Sequence, residues 1–376
     1  MTPDDILLLI ERLVAADRLR RLRLAHLPTP LEPLPALSAE VGGVRLWIKR
    51  DDCTGLAFGG NKTRHNEFVF GEAMRRGVRG VVWGASVQSN NCRQTAATCA
   101  RLGLPLHLVL TTAHGETTDT ALYAAAQGNL LLDHLLGATV EFVDVPLGPR
   151  FRQLLWDVAR EAEFHGGPVF CAADPVVEEL AAVSYIVAAA ELFKQLWVRC
   201  VRPKAIYVSS SGATGAGLAA GLRLMGWTGR LRIIAPIEWP WPMDRHIADL
   251  ANRAAFRIGE EPGLRAEDVD VDVNYIGPAY GMASEEGLQA LELLARKEAI
   301  LLDPIYSAKA FAALLDDVRK GVYAPQEDVL FIHTGGTPAL FAHSPLLTRR
   351  LARYGRPWQS VRTDLAQGEG DTAVVG

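Results

Sequence analysis

One lysine stands in a sequence context that suits covalent chemistry. The stretch FGGNKTRHNE, residues 58–67, begins with a glycine pair that permits a tight turn, and Asn61 is a suitable N-cap for the helix predicted to follow. Lys62 then falls in the first helical turn, where the helix dipole disfavours a cation. A lysine with a lowered pKa can attack an aldehyde and form a Schiff base, whereas the alternative interpretation is a solvated surface lysine.

Two further stretches combine residue types that bind anions. SVQSNNCRQTAA carries consecutive polar side chains before a predicted helix: Gln88, Ser89, Asn90 and Asn91. They could hold a carboxylate, although helix capping alone would account for one or two of them. VSSSGATGAGLAAG joins a strand to a helix through serines and glycines, and the backbone N–H groups of such a loop bind phosphate.

The glycine-rich loop also admits another class of cofactor. Gly212, Gly215 and Gly217 resemble the spacing of some dinucleotide-binding folds. Glu238 lies about 20 residues further along the chain, where an acidic side chain can bind a ribose. An NAD(P)-dependent oxidoreductase is therefore the alternative enzyme class, because both classes would use this loop to hold a phosphate.

The three stretches lie at strand-to-helix junctions of an alternating pattern. GVVWGA is followed by the helical pattern QTAATCARLG, TVEFVDV by FRQLLWDVAREAEF, and AIYVSS by a helix that begins near Gly212. Such alternation predicts βαβ units and parallel sheets, which place ligands at their strand-to-helix loops. We therefore expect an α/β fold.

Composition argues against several other classes of protein. The 376 residues are 49% hydrophobic and 22% charged, as in a globular protein large enough for two domains. The net charge of −4 and the scattered basic residues favour a small substrate over a nucleic acid. No apolar run reaches about 18 residues, so we expect no membrane association and a cytoplasmic location. The cysteines and histidines show no metal-ligand spacing, so no metal is expected.

With PAYG, LDPIYSAKA and FIHTGGTPALF added, the motifs resemble, in order, those of the pyridoxal-phosphate-dependent D-cysteine desulfhydrase and 1-aminocyclopropane-1-carboxylate deaminase family, within the tryptophan-synthase-β-like group. The resemblance implies pyridoxal 5'-phosphate as cofactor and PLP fold type II. This is an α/β fold with two open, mostly parallel, twisted sheets flanked by helices. It also implies a large cofactor-binding domain of residues 1–63 plus 175–376, a small domain of residues 64–174, and a homodimer.

The resemblance assigns a role to each motif. Lys62 binds the cofactor and then acts as the base on the substrate's Cα, while Asn90 bonds the cofactor's ring hydroxyl. The implied catalytic residues are Lys62, Ser89, Tyr280 and Tyr306. The implied cofactor-binding residues are Lys62, Asn90, Ser211, Gly212, Ala213, Thr214, Gly215, Ser307 and Thr334. The implied substrate-binding residues are Gln88, Ser89, Asn90, Tyr280 and Tyr306.

Two positions favour one of the family's two reactions. In the cyclopropane deaminases the residue after the second tyrosine is typically Glu, and HTGG has Leu in place of Thr; here they are Ser307 and Thr334. A hydroxyl leaves the pyridine ring closer to neutral than a carboxylate does, which suits β-elimination of a good leaving group. We therefore expect a carbon–sulfur lyase that converts a small, D-cysteine-like amino acid to a 2-oxo acid, ammonia and sulfide. Deamination of 1-aminocyclopropane-1-carboxylate and elimination of sulfite from cysteate are the alternatives.

Several departures from the family pattern concern the substrate. His65 stands where the family usually has Lys, Asn91 follows Asn90 where His is usual, and Ser210 and Ala213 replace common glycines. IEWPWPMDRH is the larger anomaly, because Trp239 and Trp241 follow a strand where smaller polar residues are expected. The tryptophans either line a remodelled pocket or pack at a subunit contact. The sequence does not determine the stereochemistry at Cα.

Overall fold

The computed structural model describes residues 1–113 and 126–352, except for the side chains of residues 164 and 165. The chain divides into two compact units, residues 1–342 and residues 343–376. The described part of the second unit contains the helix Ser344–Leu351. The first unit holds the elements of the candidate site.

The strands of the first unit form two sheets. They are β1 (Leu31–Pro33), β2 (Arg45–Arg50), β3 (Gly80–Ser86), β4 (Leu106–Thr111), β5 (Thr139–Val143), β6 (Val169–Cys171), β7 (Pro203–Ser209), β8 (Arg230–Ile234), β9 (Asp270–Asp272) and β10 (Asp328–His333). The larger sheet has the order β1-β2-β10-β7-β8-β9 and the smaller has the order β5-β4-β3-β6. Among these described strands the β1–β2 pair is antiparallel and the other pairs are parallel. The predicted α/β fold with two mostly parallel sheets is confirmed.

Helices connect the strands and cover the sheets. The described α-helices of the first unit are α1 (Pro3–Ala15), α2 (Pro35–Glu40), α3 (Asn61–Arg75), α4 (Asn90–Leu102), α5 (Gly128–Leu135), α6 (Pro149–Gly166), α7 (Pro175–Val198), α8 (Ala213–Leu224), α9 (Met243–Arg257), α10 (Glu285–Glu298), α11 (Ser307–Arg319) and α12 (Ala339–Ala342). Helix α7 packs against α1, α3, α8 and α9. It is therefore the central helix that holds the lysine helix α3 against the glycine-loop helix α8.

Local sequence explains why the central elements form. All six residues of β10 are buried, and its four central residues are apolar, as expected for a strand in the interior of a parallel sheet. Asp174 is the N-cap of α7, its side chain accepts a hydrogen bond from the backbone N–H of Val176, and Pro175 takes the first helical position. These elements fix the positions of the loops at the ends of β7 and β10.

The predicted domain boundaries stay a prediction. The strands of the smaller sheet lie between residues 80 and 171, inside the range of residues 64–174 expected for the small domain. The strands of the larger sheet lie on both sides of that range. Among the described helices, none is both long enough and apolar enough to span a bilayer.

Candidate active site

A cavity of about 380 Å³ collects most of the predicted site residues. Its walls come from the loops that follow β3, β7 and β10 and from the first turns of α3, α4 and α8. The predicted residues that line it are Lys62, Ser89, Asn90, Ser211, Gly212, Ala213, Thr214, Tyr280, Tyr306 and Thr334. Residues separated by more than 200 positions in the chain are thus brought to one site, as the strand-to-helix junctions predicted.

A strained turn delivers Lys62 to this cavity. Gly59 and Gly60 have φ angles of 65° and 126°, values that side-chain-bearing residues rarely adopt. A Cβ on Gly59 would lie 2.0 Å from the backbone oxygen of Asp52. Gly60, rather than the predicted Asn61, is the N-cap of α3, because the Asn61 amide side chain donates to Thr214 Oγ1 instead. Lys62 therefore occupies the second helical position.

The Lys62 amine is a suitable nucleophile. Burial lowers the pKa of Lys62 to about 8, and the negative charge of Glu178 opposes this change. Within the part of the chain that the structure describes, the amine has no hydrogen bond or ion pair. The predicted lowering of the pKa is confirmed in direction, although loss of solvation rather than the helix dipole is its main cause. A lysine with this pKa has a substantial neutral fraction at neutral pH.

The next residue but one, Arg64, anchors the lysine helix through a buried ion network. Its side chain is 2% exposed, and its Nη2 lies 2.9 Å from Asp51 Oδ1 and 2.7 Å from Glu191 Oε1. The Lys49 amine lies 2.6 Å from the same Glu191 oxygen. The Tyr185 hydroxyl donates to Asp51 Oδ2 at 2.6 Å. Because each buried charge has partners, the network fixes α3 on α7 without leaving an uncompensated ion.

Asn90 and Ser89 lie at the start of α4, and the hydrogen bonds that their side-chain oxygens accept show which donor groups remain for a ligand. Ser89 Oγ accepts hydrogen bonds from the N–H groups of Asn91 and Cys92, at 3.1 and 3.2 Å, so the Ser89 hydroxyl proton stays available to an acceptor. Asn90 Oδ1 accepts from Asn129 Nδ2 at 3.0 Å, which leaves the Asn90 NH₂ group as the donor. The Asn129 side chain also accepts from Arg93 Nε at 2.8 Å. Asn129 is therefore a positioning residue for Asn90.

The loop after β7 forms an anion cradle at the N-terminus of α8. Ala213 and Thr214 are the first two residues of that helix, so their N–H groups have no intrahelical acceptor. Ser210 Oγ accepts from the N–H groups of Gly212 and Gly215 at 3.3 and 2.9 Å, which holds the loop in shape. A Cβ on Gly212 would meet no atom within 4 Å, so space remains beside the loop. The cradle suits a phosphate.

His65 links the lysine helix to this cradle. Its Nε2 lies 3.1 Å from Thr214 Oγ1, and that oxygen accepts a hydrogen bond from Asn61 Nδ2 at 3.0 Å. Burial, Lys62 and Arg64 hold the pKa of His65 well below its usual value, so the ring is neutral and accepts the threonine proton. The departure from the family's lysine at this position thus keeps a second cation out of the cavity.

Tyr280 and Tyr306 form a hydrogen-bonded pair on the cavity wall. Their hydroxyl oxygens are 2.7 Å apart, and Ser86 Oγ lies 3.3 Å from the Tyr280 hydroxyl. Burial raises the pKa of both phenols, so both are protonated at neutral pH. The buried Asp303 carboxylate accepts the Tyr306 N–H at 2.8 Å and thereby fixes the start of α11. The pair can donate a proton toward a ligand.

Three predicted residues are placed outside the cavity. Gln88 uses its side chain to bond the Gln127 oxygen and the Asn129 N–H, each at 3.0 Å. The Gly215 N–H is occupied by Ser210, and a Cβ there would lie 2.9 Å from Ile233. The Ser307 hydroxyl donates to Asp303 Oδ1 at 2.5 Å. These contacts show packing and capping roles for the three residues.

Four functional residues were missed from the sequence. Glu178 and Arg152 line the cavity and form an ion pair of 3.1 Å. Asp303 and Asn129 do not line the cavity, but they bond Tyr306 and Asn90, which do. An acidic residue before a helix start was a visible capping signal for Asp303. Asn129 carries no local signal, because its partner Asn90 lies 39 positions away.

The described residues contain no cluster of three or more His, Cys, Asp or Glu side chains that could hold a metal ion. The groups of the cavity that suit chemistry are the Lys62 amine, the two tyrosine hydroxyls and the anion cradle.

Comparisons with known proteins agree with this geometry. The family model described as "Pyridoxal-phosphate dependent enzyme" matches residues 22–335. A protein named D-cysteine desulfhydrase from Klebsiella pneumoniae (strain 342) is 36% identical over 334 residues, which cover 88% of this chain and 98% of that protein. The solved structure of an "ACC deaminase homologue" has a TM-score of 0.78 at 31% identity and covers 90% of this chain and 98% of its own. A hydrogen sulfide-producing enzyme from Fusobacterium nucleatum shares the fold, with a TM-score of 0.57 at 18% identity over 84% of this chain and 97% of its own.

Proposed function

Because the chain belongs to the family of pyridoxal-phosphate-dependent enzymes, we propose that it is a carbon–sulfur lyase. It catalyses β-elimination on a small β-substituted amino acid of the D-cysteine type, and releases a 2-oxo acid, ammonia and the leaving group. The observation that carries this proposal is the Lys62 amine, with its pKa near 8, in one cavity with an anion cradle and a tyrosine pair.

The residues present fit pyridoxal phosphate. The cradle at Gly212, Ala213 and Thr214 suits its phosphate, the Asn90 NH₂ group suits its ring hydroxyl, and the Thr334 hydroxyl suits its pyridine nitrogen. When bound, the cofactor supplies an aldehyde for an amine and a conjugated ring that stabilises negative charge at the substrate's Cα. We leave Gln88, Gly215 and Ser307 out of the proposed binding set, because their polar groups have other partners.

The chain's own groups then divide the work on the substrate. The Lys62 amine removes the Cα proton, which its lowered pKa allows near neutral pH. The Ser89 hydroxyl and the backbone N–H of Asn90, the first residue of α4, hold the carboxylate. The protonated, hydrogen-bonded pair of Tyr280 and Tyr306 is our candidate source of the proton for a departing thiolate.

Elimination is favoured over cyclopropane ring opening. A relative named D-cysteine desulfhydrase is 36% identical, and this chain has Ser307 and Thr334 where the cyclopropane deaminases typically have Glu and Leu. The relative described as an ACC deaminase homologue keeps the ring-opening reaction as the second candidate, at 31% identity. Cysteate elimination is the third alternative that the assay has to include.

We also propose the setting in which the enzyme works. It acts as a homodimer in the cytoplasm on a small amino acid, with no nucleic-acid or membrane partner, and its cofactor lies between residues 64–174 and the rest of the chain. Light scattering on the purified protein should give twice the mass of the 376-residue chain. A monomer at micromolar concentration would contradict the dimer.

The test of function begins with the cofactor. Borohydride reduction of the purified protein and peptide mapping should find pyridoxal phosphate on Lys62, and Lys62→Ala should lose turnover while the cradle retains some cofactor. Release of 2-oxo acid and ammonia should then be measured with D-cysteine, L-cysteine, β-chloroalanine, cysteate and 1-aminocyclopropane-1-carboxylate. We expect turnover of at least one β-substituted alanine and little of the cyclopropane substrate. Attachment at another lysine, or full activity of Lys62→Ala, would remove the basis of the proposal.

A further inference from the structure

Two stacked tryptophans form a rigid aromatic surface in the cavity. The rings of Trp239 and Trp241 have centroids 5.1 Å apart and planes 5° apart. His246 lies against Trp241 with a centroid distance of 5.9 Å, and all three residues line the cavity. Pro240 and Pro242 restrict the backbone of this segment, so the surface is formed before a ligand binds. We name Trp239, Trp241 and His246 the aromatic wall.

Further apolar side chains line the same cavity. Leu147, Phe151 and Leu155 come from α6 and the segment before it, and Val177 comes from the first turn of α7. Phe151 and Leu155 are both 3% exposed and pack in a core cluster with Val82 and Val109, so they form a fixed apolar floor beneath the cavity. Together with the aromatic wall they give the cavity an apolar compartment.

The chemistry proposed above makes no use of this compartment. The amine at Lys62, the carboxylate anchor at Ser89 and the phosphate cradle account for the cofactor and for the amino-acid portion of a substrate. A thiol as small as that of cysteine would leave the partly exposed rings of Trp239 and Trp241 without substrate contacts. A larger apolar substituent on Cβ would bury against it and gain affinity.

The charged residues of the cavity argue against an anionic substituent. Arg152 could attract a sulfonate, but its guanidinium lies 3.1 Å from a Glu178 carboxylate oxygen and donates to the Ala173 oxygen at 3.0 Å. The pair is neutral as a unit, so it offers no net positive charge to a leaving sulfite. A neutral substituent suits the compartment better.

We propose that the substrate class of this enzyme is a cysteine thioether whose sulfur carries an aromatic or other bulky apolar group, held against the aromatic wall. This inference rests on the proposed function and names the leaving group, an apolar thiolate. In the reaction the Cα–H proton passes to Lys62, the Cβ–S bond breaks, and its electron pair leaves with sulfur, which takes up a proton. One water converts the remaining unsaturated amine, so S-benzylcysteine plus water gives benzyl thiol, pyruvate and ammonia.

The test compares two thioethers with the same reacting atoms. The holoenzyme should be assayed for pyruvate release from the S-benzyl and S-methyl cysteines, each as both enantiomers. Burial of a phenyl ring as complete as that of a core phenylalanine predicts a kcat/KM for the benzyl compound about tenfold to a hundredfold higher. Trp239→Ala and Trp241→Ala should lower this ratio by about tenfold, and Trp241→Phe should restore most of it.

A matched control comes from a tryptophan elsewhere in the protein. Trp197 is 83% exposed and does not line the cavity, so Trp197→Ala should keep the wild-type ratio. A wild-type ratio near one, or a high ratio that survives both alanine substitutions in the wall, would overturn the inference and leave the proposed function in place. Failure to release pyruvate from D-cysteine, L-cysteine, β-chloroalanine, cysteate and both thioethers would instead overturn the proposed function.

Discussion

The charge of Glu178 should control how fast Lys62 captures its cofactor. With a pKa of about 8, about 9% of the Lys62 side chain is neutral at pH 7. An ordinary lysine with a pKa of 10.5 would be neutral in about three molecules in ten thousand. Only the neutral amine attacks an aldehyde, so the cavity already makes this lysine several hundredfold more available than a surface lysine.

Glu178→Gln should make it more available still. Glu178 raises the Lys62 pKa, and the substitution also leaves Arg152 without its carboxylate partner, so both effects lower that pKa below about 8. The capture rate at pH 7 should rise, but by no more than about elevenfold, because the neutral fraction cannot exceed one. At pH 9.5 the two proteins should react at the same rate. The gain should shrink in high salt, since the Arg152 and Glu178 side chains are 44% and 38% exposed.

The assay follows the absorbance of apoprotein mixed with pyridoxal phosphate, from pH 6 to pH 10. Glu179→Gln is the matched control, because Glu179 pairs with Arg253 and Arg257, at 3.3 and 2.6 Å, and does not line the cavity. Its rate profile should follow that of the wild type. A wild-type rate that still rises tenfold per pH unit above pH 9 would refute the lowered pKa. A midpoint that moves upward in Glu178→Gln would refute the assigned role of its charge.

Three other substitutions test the elements behind the site. Arg64→Met removes the cation between two buried carboxylates and should lower the free energy of unfolding by about 3–5 kcal/mol in urea titration, whereas a loss below about 1 kcal/mol would show that the network is solvated. Gly59→Ala places a Cβ 2.0 Å from the Asp52 oxygen and should cost about 1–3 kcal/mol and displace Lys62, seen as lost cofactor absorbance; unchanged absorbance would argue against the strained turn. Asn129→Ala should weaken cofactor binding and shift the cofactor's absorbance, whereas Asn252→Ala, which removes two hydrogen bonds of an asparagine that does not line the cavity, should change neither.

The sequence was most informative where function depends on local chain conformation. The glycines before Lys62 and the capping serine at position 89 have their effect within a few residues, so their residue types alone indicated the turn and the helix start. The alternation of strands and helices indicated parallel sheets, and therefore which loops would meet. This is why the predicted fold and ten residues of the cavity could be identified without coordinates.

Side-chain direction could not be predicted in the same way. The motifs predicted Ser307 and Gly215 as cofactor-binding residues just as they predicted Thr334 and Thr214. In the structure, however, the Ser307 hydroxyl bonds Asp303 and the N–H of Gly215 bonds Ser210. Asp303 and Ser210 lie only four and five positions away, but whether a polar group bonds such a neighbour or faces the cavity depends on the folded backbone geometry, which residue type alone does not give.

The placement of Ser307 changes the argument about reaction choice. Because its hydroxyl caps α11 through Asp303, Thr334 is the one of the two diagnostic positions that lines the cavity. A threonine hydroxyl does not hold a pyridine nitrogen in its protonated form, so we expect weak withdrawal of electrons from the substrate's Cα. A site of this kind depends more on the leaving group, and an apolar thiolate is a better one than the carbon of a strained ring. On our proposal the aromatic wall selects for such a thiolate by contact and Thr334 does so by electronics, although the two features lie on separate segments of the chain.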